Sequence, residues 1–127
     1  MQFEQLDHLT LTVTNLAASE HFYHDQLGLP LFHFENGRSA VRIGKQKLNF
    51  QVAAHPHPPV AAHPTSGSAD FCLLLKDTTV HAMIAHCHRQ QLSIEVGPVD
   101  RTGAQGPMTS IYLRDPDQNL VELSVLK

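Results

Sequence analysis

Three residues of this chain combine reactive chemistry with a suggestive setting: Glu122, His8 and Asp70, two carboxylates and an imidazole, each on the polar side of an apolar segment. Glu122 lies in the run Tyr112-Leu113-Arg114-Asp115-Pro116-Asp117-Gln118-Asn119-Leu120-Val121-Glu122-Leu123, where Val121, Leu123 and Val125 alternate with Glu122 and Ser124. Successive side chains of a strand point to opposite faces, so the carboxylate faces away from the hydrophobic set. That face looks either at water or into a cavity where a carboxylate can bind a cation. A His and an Asp on comparable strands favour the cavity.

The elements that must position these residues fall into two similar halves. Over residues 6–14, Leu9, Leu11 and Val13 alternate with His8, Thr10 and Thr12, which predicts a strand with one buried face. Asn15 is placed to cap a helix whose positions Leu16, Phe22, Tyr23 and Leu27 recur until Gly28 stops it. Strands over 31–34, 39–43 and 47–52 follow, separated by turn signals at Asn36-Gly37 and Gly44-Lys45. The second half starts with a strand marked by Phe71, Leu73 and Leu75 and a helix marked by Val80, Met83, Ile84 and Cys87. A strand over 92–96, a short one around Val99 and a hairpin of 107–113 with 120–125 complete it. Between the halves, residues 53–68 hold four prolines from Pro56 to Pro64 and read as a linker or rim loop.

Laid over each other, Asp7-His8-Leu9-Thr10-Leu11 matches Ala69-Asp70-Phe71-Cys72-Leu73, and Leu48-Asn49-Phe50-Gln51-Val52 matches Val121-Glu122-Leu123-Ser124-Val125. His8 thus has Asp70 as its repeat partner, and Glu122 has Asn49. The expectation is one domain over 1–127, made of a module 6–52, a linker 53–68 and a module 69–125. A duplicated unit places equivalent residues near a pseudo-two-fold axis, where four polar side chains can converge.

Composition narrows the function classes. A chain of 127 residues with 42% hydrophobic content suits one compact domain. Its formal charge of -3 offers no broad basic surface for a nucleic-acid backbone. Cys72 and Cys87 lack a CxxC spacing and read as reduced thiols, and no stretch approaches the length of a membrane span, so a soluble cytoplasmic protein is expected. No GxGxxG or GxxxxGK loop points to a nucleotide.

The order and spacing of His8-Leu9-Thr10-Leu11-Thr12-Val13, Phe22-Tyr23, Leu27-Gly28-Leu29 and Asp115-Pro116-Asp117-Gln118-Asn119-Leu120-Val121-Glu122 resemble the vicinal oxygen chelate superfamily, which holds glyoxalase I, bleomycin and fosfomycin resistance proteins and extradiol dioxygenases. The resemblance spans nearly the whole chain and is nearest to small glyoxalase-domain proteins. It implies an α+β fold of two βαβββ modules, with curved mixed sheets around a cleft and helices outside. It also implies a divalent metal on the cleft floor. His8 and Glu122 match ligand positions of the family, and Asp70 falls where many members carry a second His. His8, Asp70 and Glu122 then form a one-His, two-carboxylate set for Mn, Fe, Ni or Zn, with Glu122 also the candidate catalytic residue. Asn49 departs from the glyoxalase I pattern, which commonly has a carboxylate there, and this counts against that isomerisation in particular.

The remaining candidates read more plainly. His55, His57 and His63 fall in the proline-rich loop, while His21, His24, His81, His86 and His88 fall on helices without an HExxH spacing. His33 is left open between cavity and interface. Phe34, Met108 and Tyr112 are candidates to wall a pocket, with Phe50 core if Asn49 and Gln51 face the cavity. Arg42, Arg101 and Arg114 read as ordinary surface charge, and the stretch 97–106 as a flexible rim. The leading expectation is a metal-dependent lyase, isomerase or dioxygenase acting on a small substrate with vicinal oxygens. The alternative is a binding protein that sequesters an aromatic or antibiotic-like molecule. Exposed sheet edges and the resemblance together imply a homodimer.

Overall fold

A computed structural model describes all residues, Met1–Lys127, in an α+β fold with two four-stranded mixed sheets. The chain divides into two compact units, Met1–Gly67 and Ser68–Lys127, and each has the element order β-α-β-β-β.

In the first unit, β1 (His8–Val13) leads into α1 (Leu16–Glu20) and a π-helical turn over His21–Gln26. Three strands follow: β2 (Leu31–Phe34), β3 (Arg38–Ile43) and β4 (Gln46–Val52). Asn15 is the expected N-cap, its Oδ1 accepting the Ala18 N–H at 3.0 Å. The widened turn allows the consecutive residues Phe22 and Tyr23 both to be buried. The strand order is β1-β4-β3-β2 with β1 parallel to β4, a pairing that needs a crossover, here the helical segment. Leu11, Val13, Val41, Leu48 and Phe50 build the core, with Tyr23 5.4 Å from Phe50. Pairing and alternation put His8, Thr10, Lys47, Asn49, Ala40 and Arg42 on the opposite face.

The second unit repeats this plan. It comprises β5 (Asp70–Leu75), α2 (Val80–Arg89), β6 (Val96–Gly103), β7 (Gly106–Arg114) and β8 (Leu120–Leu126), in the order β5-β8-β7-β6 with β5 parallel to β8. Thr79 caps α2 by accepting the Ala82 N–H at 3.1 Å. Met83 and Cys87 from α2 are buried, as are Ile111, Leu113, Val121 and Leu123 of the sheet.

The two registers agree residue for residue. Thr10 stands opposite Asn49, and the equivalent Cys72 stands opposite Glu122; His8 faces Lys47 as Asp70 faces Leu120. The pairing drawn from sequence between Asn49 and Glu122 therefore holds at the level of the backbone ladder.

One stretch differs from expectation. Residues 92–94 form no strand; the short strand expected around Val99 is present but longer, as the edge strand β6 over Val96–Gly103, paired with β7 and bulged between Val96 and Val99, where a flexible rim was expected. Gly97 and Pro98 look like breakers, yet an edge strand tolerates a residue without an N–H, and Gly97 takes a φ of +113° that suits the bulge. A Cβ at Gly97 would lie 2.6 Å from the Ser110 carbonyl oxygen, so the position also requires glycine for space. The proline-rich stretch is irregular as expected, and the Gln51 side-chain oxygen accepts the His57 N–H at 3.2 Å. No helix is long and apolar enough to cross a membrane.

Candidate functional site

Glu122 sits mid-strand on β8, half-buried, directly between Cys72 of β5 and Tyr112 of β7. Its buried strand neighbours Val121 and Leu123 point the other way, as the alternation predicts. One carboxylate oxygen accepts a hydrogen bond from Ser124 Oγ at 3.2 Å, and no basic group pairs with either oxygen. Ser124 Oγ also lies 2.7 Å from Ser110 Oγ and 3.2 Å from Cys72 Sγ. Burial of this sulfur raises the Cys72 thiol above its ordinary value; the Ser124 hydrogen bond opposes the shift and the Glu122 charge adds to it. The thiol thus stays protonated at neutral pH although the residue as a whole is exposed.

Asp70 opens β5 on the same face, opposite Leu120 and one alternation along from Cys72. Its place is set by a connection whose role sequence reasoning missed. Asp115 and Asn119, only 2% and 1% exposed, lock the turn between β7 and β8. Asp115 Oδ1 accepts the N–H groups of Asp117 and Asn119, each at 2.9 Å, and Oδ2 accepts Asn119 Nδ2 at 2.8 Å. Asn119 Oδ1 in turn accepts the Ala69 N–H at 2.9 Å, and Leu120 N–H donates to the Ala69 carbonyl at 3.0 Å. The Asp-Pro-Asp-Gln-Asn run is therefore a clamp that fixes the start of β5 beside β8. The Asx-turn preference of Asp and Asn was the available signal.

His8 opens β1 of the first unit, half-exposed, with Nδ1 2.8 Å from Asp7 Oδ2. That hydrogen bond, helped by the His8 and Lys47 charges, holds the Asp7 carboxyl below its ordinary range. This contact fixes which ring nitrogen faces the Asp7 carboxylate. Asn49, on β4, is 3% exposed; its Nδ2 reaches Thr10 Oγ1 at 3.4 Å, while its Oδ1 is buried without a partner.

The donor types fit a hard divalent cation. Two carboxylates share one face of the second sheet without a basic partner. As folded, no three His, Cys, Asp or Glu side chains gather into one metal-binding group. The structure thus brings Asp70 and Glu122 onto one face and does not by itself assemble a closed ligand set.

The other candidates sort by face. Phe50 is core, as expected when Asn49 faces away from the helix. Phe34 lies under Lys47, whose Nζ is 3.4 Å from the ring centroid. Tyr112 is capped by Arg101, which donates to its hydroxyl at 2.9 Å, and Arg114 is tied to Glu95 at 2.7 Å. His33 lies 3.8 Å from Glu20 of α1, on the helix side of the sheet, which settles a position the sequence left open. His55 and His57 line a shallow cavity with Leu16, Arg38 and Phe50.

A family model described as the Glyoxalase/Bleomycin resistance protein/Dioxygenase superfamily matches residues 5–123. The chain is 40% identical over 124 residues to virulence protein STM3117 of Salmonella typhimurium, covering 98% of this chain and 85% of that protein. It is 39% identical over 124 residues to the glyoxalase domain-containing protein RDO1 of Mycosarcoma maydis, covering 98% and 69%. The crystal structure of the Salmonella protein superposes with a TM-score of 0.96 at 38% identity over the full length of both chains. An integron cassette protein from the mobile metagenome of V. cholerae gives 0.95 at 41% identity, covering 100% of this chain and 98% of that one.

Proposed function

Because the chain belongs to the glyoxalase/bleomycin resistance protein/dioxygenase superfamily, we propose that it is a divalent-metal-dependent enzyme acting on a small substrate with vicinal oxygens. Asp70 and Glu122 are its carboxylate donors and His8 its imidazole donor, for Mn, Fe, Ni or Zn. The observation that carries this reading is the pair Asp70 and Glu122 on one face of the second sheet, with no basic group compensating either. Like charges held on one face are tolerated at lower cost when a cation binds among them.

A divalent ion held there would supply Lewis acidity toward a carbonyl or enolate oxygen. The residues do the rest. Ser124 orients Glu122 by donating to one oxygen, which leaves the other free to accept a proton from substrate. Asp7 holds the His8 ring in one orientation. The clamp of Asp115 and Asn119 keeps Asp70 in register with Glu122. The Cys72 thiol beside Glu122 presents a neutral surface, so the carboxylate is the charged group of that row.

Two further parts of the reading follow. The free thiols Cys72 and Cys87 suit a reducing cytoplasm. Each sheet ends in edge strands, β1 and β2 in one and β5 and β6 in the other, which supports a homodimer. Sedimentation at low micromolar concentration showing only a monomer would remove the dimer.

The test of the main reading is metal analysis of wild type and Glu122→Gln after incubation with Mn2+, Fe2+, Ni2+ and Zn2+. Metal bound by wild type and reduced in the variant supports it. Equal, negligible content in both overturns it and puts forward the second reading, non-catalytic binding of a small molecule. That second reading has its own observation, the aromatic and cationic face of the first sheet.

A further inference from the structure

The polar face of the first sheet carries a charge pattern that the metal-dependent reading leaves unused. The Arg42 guanidinium lies 4.8 Å from the Phe32 ring centroid, Lys47 Nζ 3.4 Å from that of Phe34, and the Arg38 guanidinium 5.1 Å from the same Phe34 ring. Arg38 reaches Glu35 at 3.4 Å, whereas Arg42 and Lys47 form no such close pair, the Lys47 charge acting on Asp7 only at longer range. Packing on aromatic faces strips part of the water from these cations and limits their rotamers, which lowers the cost of binding an anion there.

On the same face, one alternation from Lys47 along β4, stands Asn49 with its buried, unpartnered Oδ1. Its lateral neighbours are Thr10, already engaged by Asn49 Nδ2, and Ala40, which has no polar atom to offer. A buried acceptor without a donor costs stability, and a ligand hydroxyl would satisfy it. The equivalent position in the second unit, Glu122, is charged and would repel an anion; the neutral amide here does not.

We infer that this face binds a small organic anion, a 2-hydroxycarboxylate, with its carboxylate held by Lys47 and Arg42 and its adjacent hydroxyl donating to Asn49 Oδ1. The inference goes beyond the proposed function, whose carboxylate donors lie on the second sheet, and rests on that reading only in taking a small molecule with adjacent oxygens as ligand. It requires no metal.

The experiment is an NMR titration of the isotopically labelled full chain with mandelate in the presence of chelator. Amides of β1, β3 and β4 shift saturably. Removing the charge (methyl mandelate) or the hydroxyl (phenylacetate) weakens binding by about tenfold each. Lys47→Met and Asn49→Leu weaken mandelate by a similar factor of about ten, while Lys47→Arg stays within about twofold. Amide spectra without ligand report whether each variant is folded, and Arg42→Met replaces any that is not. No saturable shift in these strands overturns the inference, as does equal affinity for methyl mandelate. Equal affinity for inorganic phosphate means an adventitious ion only and overturns it too. A chain that binds mandelate here but takes up no metal refutes only the metal-dependent reading; one that takes up metal but ignores mandelate refutes only this inference.

Discussion

Asp115 and Asn119 hold each other twice, the carboxylate accepting both the backbone N–H and the side-chain amide of Asn119, at 2.9 and 2.8 Å. Both are almost wholly buried, so neither bond has water as a ready substitute. Asp115→Ala leaves several donors unpaired and is expected to destabilise the fold by about 3 kcal/mol. Asp115→Asn keeps the shape but sets an amide against the Asn119 amide, costing about 2 kcal/mol. Urea denaturation midpoints check both, and a loss below about 0.5 kcal/mol for Asp115→Ala would deny the clamp its role.

Gly97→Ala places a methyl against the Ser110 carbonyl oxygen at 2.6 Å, in a backbone conformation with φ of +113°. A loss of about 2 kcal/mol or more is expected from strain plus displacement of β7. Gly103→Ala meets the flexible Met108 side chain at 2.8 Å and the Gly106 carbonyl oxygen at an ordinary 3.5 Å, and serves as the milder comparison. Thermal unfolding of the two variants side by side should separate them clearly.

Site carboxylates and structural carboxylates should part company. Asp70→Asn and Glu122→Gln each remove one of two uncompensated charges, so the metal-free protein should stay within about 0.5 kcal/mol of wild type or gain stability. Metal-free stability and metal uptake, measured on the same samples, then move in opposite directions. A loss of stability comparable to that of Asp115→Ala would mark Asp70 or Glu122 as scaffold instead.

Cys87 supplies a pH signature. Burial raises its thiol above the ordinary 9.0, with no other cause opposing. The folded state thus keeps the neutral thiol while the unfolded chain ionises first. The stability contributed by the neutral thiol is complete below pH 9.0 and is lost as pH rises through the folded value. Wild type should weaken between pH 8 and 10 by more than Cys87→Ala does, as read from denaturation midpoints at the two values. A parallel pH dependence in both proteins would exclude Cys87 as the source.

Much of this was legible in the sequence because strands with one buried face announce themselves. The alternation of Leu9, Leu11 and Val13 with His8, Thr10 and Thr12 identified β1, and the match of Asn49 to Glu122 anticipated the ladder pairing. Only the part of β6 around Val99 was legible, because an edge strand can also use Gly97 and Pro98, residues that read as loop wherever pairing on both sides is assumed. Glu122 and Asp70 could be placed on polar faces by parity alone. Their lack of basic partners could not, since the sequence does not show that Arg114 turns to Glu95. The stacking of Lys47 and Arg42 on Phe34 and Phe32 was equally invisible, because it depends on which strands lie side by side.

The matched ladders, with Asn49 standing where Glu122 stands, mean that a single backbone address is written twice and spelled differently each time. The two copies differ in depth as well: Asn49 is 3% exposed with an unpartnered Oδ1, so Asn49→Glu would bury a charge, whereas Glu122→Asn removes one from a half-buried position. One frame used twice can thus carry a neutral amide where it closes over the side chain and a carboxylate where it leaves the side chain open.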